Sequence, residues 1–128
     1  MTNGQVFNTD QMNTALRVLE DVMERMPIHY LLLDDTARLI HDERELKGSE
    51  ITIGIYKLDV TDGIKTAFEQ YAKAKIGENE FTCAIEGVPV KVKLINKDKE
   101  YFEFPDSKVY NGGFYKIPNQ FEKYWSER

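Results

Sequence analysis

The apolar residues of this chain change their period three times, and that alternation limits the fold more than any other feature. Met12, Ala15, Leu16, Leu19, Val22, Met23 and Met26 recur at three- and four-residue steps, which is one face of a helix over 9–26. Thr9 or Asn8 can cap its start and Pro27 follows its end. Ile51, Ile53 and Ile55 then alternate with Thr52, Gly54 and Tyr56, which predicts a strand over 50–57. Ile64, Ala67, Phe68, Tyr71, Ala72 and Lys75 return to helical spacing after Thr61 and Asp62, with Gly77 placed as a C′ residue. Val88, Val90, Val92 and Leu94 alternate again, and Phe81–Ile85 pairs with them across Glu86-Gly87 as a hairpin.

Weaker signals fill the gaps. Ile28 to Leu33 is too short for a helix and reads as a buried strand; Asp34-Asp35-Thr36 supplies N-cap chemistry, with Asp35 as the cap of a second helix that fades near Leu46, before Gly48. Tyr101 to Phe104 is a further expected strand. Asn111-Gly112-Gly113 marks a turn before a short strand over Phe114 to Ile117, and Asn119 is placed to cap a last short helix. Helix, strand, helix, strand, helix, hairpin, strand and short helix make an α+β domain, with helices packed mainly on one face of a mixed β-sheet. The expected organisation is one domain over 1–128, with 1–8 disordered.

Composition narrows the function classes. With 41% hydrophobic residues the chain can build a core. A formal net charge of −5 argues against nucleic acid as the main partner, because phosphate binding needs a concentrated basic surface. A single cysteine, Cys83, rules out an internal disulfide. No apolar run approaches the roughly 20 residues of a membrane span, and Met1 to Asp10 lacks a signal-peptide core. The expectation is a cytoplasmic protein with no membrane partner.

The stretch YLLLDDTARLIHDERELKGSEITIGI, Tyr30 to Ile55, resembles the core signature of the nucleotidyltransferase superfamily, in particular its small bacterial and abortive-infection toxin-type forms. Those proteins carry a strand, a Gly-Gly or Gly-Ser pair, Thr-Ala-Leu opening a helix, a basic residue, and then an acid-containing strand. Thr36-Ala37, Leu39, Ile40, His41, Arg44 and Ser49 stand at the matching places, and Phe114 to Pro118 with Tyr124 is similar to the closing segment of phosphorylcholine-transferase-type members. The resemblance implies a cleft bordered by Asp34, Asp35, Thr36, Arg44, Ser49, Glu50, Thr52, Lys91 and Lys93.

In such a cleft two divalent metals neutralise the charge on a phosphorus under attack, held by carboxylates at i and i+2 of one strand and a third from its neighbour. A glycine pair lets backbone amides approach a triphosphate at the helix start. This sequence departs at each place. Asp34-Asp35 replaces the glycines, the first strand acid survives as Glu50, the second is Thr52, and the third position holds Lys91. The resemblance therefore implies a degenerate, non-catalytic domain acting as a binding or regulatory module, of the kind carried by phages or mobile elements. Its partner would be a protein or a small anionic ligand, and no cofactor is expected. Glu50 is a weak candidate for holding one cation. Mg2+ enters only under the alternative of an active transferase with atypical carboxylates; a second alternative is an interaction protein of similar element order.

Other polar residues have plainer readings. Lys91, Lys93, Lys97 and Lys99 form a basic group, and Lys91 and Lys93 share one strand face. His29, His41 and Cys83 do not have the spacing of a zinc site. Asp59 and Asp62 complement a helix start, with Glu69 on that helix's polar face. The aromatic-rich last third is expected to close the core, with a partner-binding patch as the alternative.

Overall fold

A computed structural model describes residues 6–26, 28–57, 61–72, 79–96 and 99–127 of the 128. The first helix, α1, is Thr9–Arg25. Asn8 and Gln11 cap it reciprocally: each side-chain oxygen accepts the other's backbone N–H, at 2.8 and 2.9 Å. Its apolar stripe, from Met12 to Met23, is buried. The expected strand over 28–33 contracts to β1, Leu31–Leu32. Helix α2 is Asp34–His41 and strand β2 is Ile51–Tyr56. Helix α3, Asp62–Ala72, is capped by Thr61, whose hydroxyl accepts the Ile64 N–H. Gly77, expected to end this helix, lies outside the described residues, as do Asp59 and Lys97.

Strands β3, Glu80–Ile85, and β4, Val88–Ile95, form the expected hairpin. Glu86 and Gly87 both have positive φ, 52° and 79°, which is the turn that matches strand twist. The four strands lie in the order β1-β2-β4-β3, with β2 parallel to β4 and the other neighbours antiparallel. The sheet is mixed. A second hairpin, β5 (Asp106–Tyr110) and β6 (Gly113–Ile117), forms its own two-stranded sheet with β6 beside β1. Two short helices complete the chain, α4 (Lys99–Phe102) and α5 (Phe121–Ser126).

Two local expectations fail for identifiable reasons. Tyr101 and Phe102 were expected in a strand, but both are buried in the same cluster with Leu31, Leu33 and Ile95. A strand would send adjacent side chains to opposite faces; a helical turn does not. Asn119 does not cap α5. Its amide donates instead to the Glu100 and Phe104 carbonyls, at 2.7 and 3.1 Å, and Gln120 holds the cap position with φ 49°. Ahead of α1, Phe7 is buried, and its N–H donates to Gly48 O at 2.8 Å.

The sheet buries both faces unequally. Ile51, Ile53, Ile55, Val88, Val90 and Val92 face the main core, closed by Leu16 and Leu19 of α1, Ile40 of α2 and Phe68 of α3. On the other face the smaller cluster around Tyr101 and Phe102 covers only the Tyr56 end of β2. Gly54 marks its border, since a Cβ there would meet Leu33 and Ile95 side chains at 2.6 Å. The Ile51 end of that face is left for polar residues. Of the late aromatics, Tyr101, Phe102, Tyr115 and Phe121 are buried, whereas Phe104 and Phe114 are 80% and 75% exposed.

Candidate functional site

Strand parity builds the site. Ile51 and Ile53 are fully buried in the main core, so Thr52 faces the other side of the sheet. Thr52 is the register partner of Lys91 across the β2–β4 pair, and Gly54 is the partner of Lys93. Both lysines thus project from the Thr52 face. A cavity of about 290 Å3 lies there, bordered by Asp34, Asp35, Thr36, Ser49, Glu50, Thr52 and Lys91.

Threonine 36 ties helix to sheet. It is 3% exposed, and its hydroxyl accepts the Thr52 N–H at 2.9 Å. The Leu33 N–H donates to the Thr52 carbonyl, also at 2.9 Å, so both polar groups of the Thr52 backbone are used by the α2 entry. Asp34 takes φ 52°, a left-handed conformation that glycine adopts without strain. Its carboxylate lies 2.6 Å from Lys93 Nζ, with the two side chains 17% and 38% exposed. Asp35 is exposed and does not cap α2. The cap position is Leu33, and no side chain bonds the first amides there. That corrects the expected Asp35 cap: the left-handed Asp34 has already turned the chain, and the aspartates complement the helix dipole instead.

Ser49 and Glu50 stand exposed at the mouth. Lys91 lies 3.9 Å from Glu80, a loose, partly solvated pair. Lys93, paired with Asp34, does not border the cavity, and neither does Arg44. Arg44 is exposed, and its N–H donates to Leu39 O where the chain leaves α2. Lys47, Gly48, Leu46, Leu39 and Met12 complete the wall and were not among the cleft residues expected from sequence. Leu39 and Met12 belong to apolar helical stripes, which carried no sign of a second surface. The 44–50 wall is fastened at two points. Tyr110 Oη accepts the Leu46 N–H at 2.9 Å while donating to Asn13 Oδ1 at 2.5 Å, and Gly48 O accepts from Phe7.

Outside the cleft, His41, Asp42 and Glu122 bring ligand atoms within 4.8 Å of one another. Arg38 already bonds Asp42 and Glu122, at 3.0 and 2.7 Å, and lies over the Phe121 and Trp125 rings. His41 stacks on Phe121 at 4.6 Å. The hydrogen bond from His41, with Arg38 adding to it, holds the Asp42 carboxyl below its ordinary value, and Glu122 raises the Arg38 guanidinium. This group fastens α5 to α2. Burial pushes the Cys83 thiol up to about 11, so it is a poor nucleophile or ligand.

Among the described residues, no three carboxylates of the cleft bring their oxygens within the 4.8 Å that the His41 group achieves. Asp34 pairs with Lys93, and Lys91 stands beside Thr52 on β4.

No family model matches the sequence, and no curated protein does. The fold has solved counterparts. A crystal structure of a Thermotoga maritima protein, provisionally assigned as a nucleotidyltransferase, superposes with a TM-score of 0.59 at 13% identity, over 88% of this chain and 81% of that one. The chain thus has a nucleotidyltransferase-like α+β fold, a likeness of architecture rather than of sequence. No helix among the described residues is long and apolar enough to cross a membrane.

Proposed function

We propose that the protein is a nucleotidyltransferase-like domain that does not transfer nucleotides and serves as a binding or regulatory module. The observation that carries this reading is the Thr52–Lys91 register pair on the cleft face of the sheet. Where two divalent ions need about three converging carboxylates, these strands offer Glu50, a neutral hydroxyl and an ammonium group. Asp34 cannot make up the deficit while it neutralises Lys93. Loss of one well-placed donor in a catalytic site costs on the order of 10²–10³ in rate, and here more than one is missing.

One observation favours the rival reading of an active, metal-dependent enzyme with atypical carboxylates: Asp34, Asp35 and Glu50 all border the cavity. A transfer assay separates the two. Labelled ATP, GTP, CTP and UTP, incubated with the protein, Mg2+ or Mn2+ and protein or small-molecule acceptors, should give no labelled product. Turnover that disappears in Glu50→Ala would establish the active enzyme instead.

A further inference from the structure

Three of the four large apolar residues that stand exposed among the described residues gather along one groove outside the cleft: Phe104, Val109 and Phe114. Phe114 lines a cavity of about 320 Å3 between α1 and β6, and Val109 is its register partner on the outer face of the β5–β6 hairpin. A second cavity, of about 260 Å3, opens beside α4, and Phe104 lies between two of its lining residues, Glu103 and Pro105. The two cavities share His29, Tyr30 and Lys116, so they form one groove. Its ends differ in chemistry. At the first, Glu20 and Glu24 stand one turn apart on α1 beside an apolar and aromatic wall of Met23, Tyr30, Phe114 and Tyr115. Glu20 accepts the Tyr30 hydroxyl through one oxygen, which leaves the other for a ligand. Burial first, and Glu20 next, raise the Tyr115 hydroxyl, so the carboxylate's charge is felt across the cavity. At the second end Leu31, Tyr56, Phe102 and Pro105 make an apolar pocket beside the exposed Glu103.

We propose that this groove is a docking site for an extended peptide segment of a partner protein, with a basic side chain seated at Glu20 and Glu24 and an apolar side chain in the pocket between Tyr56 and Phe102. The site lies outside the cleft, so it stands whether or not the cleft transfers nucleotides. Charge complementarity names the occupant of the first end. Two carboxylates beside aromatic rings take a cationic head, and the aliphatic stem of arginine or lysine can lie along Phe114 and Tyr115. The second cavity names the rest, because a single cation fills only one end of the groove. Lys116 and His29 stand on the shared wall. There they disfavour a second cation and can donate to the carbonyl oxygens of a chain crossing between the pockets. Exposed aromatics are the residues that anchor interfaces, and a chain laid past Phe104, Val109 and Phe114 covers apolar surface that otherwise faces water.

The test selects a phage-displayed library of random short peptides on the wild-type chain and measures the best-enriched peptide by fluorescence anisotropy. Enriched peptides should carry arginine or lysine close to an aromatic or aliphatic residue, and their affinity should fall as salt rises. Neutralising the basic residue, as citrulline or acetyl-lysine, should weaken binding about fivefold or more. The double variant Glu20→Gln with Glu24→Gln should weaken the charged peptide by the same factor and leave the neutral one unchanged, which is the signature of a direct pairing. Phe114→Ser should weaken both peptides. Glu24 and Phe114 are exposed, and Gln at position 20 can still accept from Tyr30, so these variants should melt with the wild type. No enrichment above a target-free control, enriched peptides without basic residues, or equal losses for charged and neutral peptides in the glutamine variant would overturn the proposal. So would self-association of the chain that Phe114→Ser abolishes, which would make a second copy the occupant, or arginine methyl ester binding as tightly as the peptide, which would mark a site for a small cation.

Discussion

Thr36 fixes the α2 entry against β2 with one hydroxyl. Replacing it by valine keeps the volume but leaves the buried Thr52 N–H without its acceptor. That should cost about 1–3 kcal/mol of stability, read by chemical denaturation, whereas Thr36→Ser should recover most of the loss. A Val variant as stable as wild type would show that the Thr36–Thr52 bond contributes nothing. Cys83 gives a pH signature. Burial raises its pKa to about 11, while the unfolded chain titrates near the ordinary value of about 8.5. The thiol therefore contributes its full stability below about pH 8.5, and that contribution is lost as pH rises toward 11. Tyr30, raised by burial and by its hydrogen bond to Glu20, and Tyr115, raised by burial first and Glu20 next, extend the decline to higher pH. Denaturation midpoints should fall between pH 8.5 and 10.5, and Cys83→Ala should flatten the first part of that fall.

At the level of elements, the strongest test is α1. Leu19 is fully buried in the main core, and Leu19→Ala should cost on the order of 2–5 kcal/mol. Asn8→Ala should cost about 1 kcal/mol by breaking the reciprocal cap. A thermal melt that moves by the same amount for both would contradict this division between core and cap. The elements legible in the sequence are those whose own side chains settle them: α1, β2, α3 and the β3–β4 hairpin each carry an unbroken periodicity and a matching turn or cap. The illegible ones depend on distant partners. Strand β5 was not foreseen because Asp106–Tyr110 holds only Val109 and Tyr110 as strong strand formers; Val109 is 69% exposed, and Tyr110 is anchored by Asn13 and Leu46 from far along the chain. Asn119 and Asp35 looked like caps because their types cap helices, but long-range geometry sent each elsewhere.

At the level of the whole molecule, two unequal faces of one sheet explain why a cleft exists at all. The main core consumes the alternating isoleucines and valines, the Tyr101–Phe102 cluster covers one end of the reverse face, and polar residues line the rest. Parity along β2 and β4, taken with the resemblance, placed Glu50, Thr52 and Lys91 near one another from sequence. The path of residues 42–50 was not so placed, since it follows Glu43 at φ 58° and Gly48 at φ 136° and carries Arg44 outward while bringing Lys47 in. On the proposed reading this cleft does not assemble metal and triphosphate. Titration of ATP, GTP, CTP and UTP into the wild-type chain, with Mn2+ and again with chelator, puts that to the test. The charge balance around Glu50, Thr52 and Lys91 predicts no increase in affinity when Mn2+ is present. Micromolar binding of any triphosphate that requires Mn2+ and is lost in Glu50→Ala would contradict it.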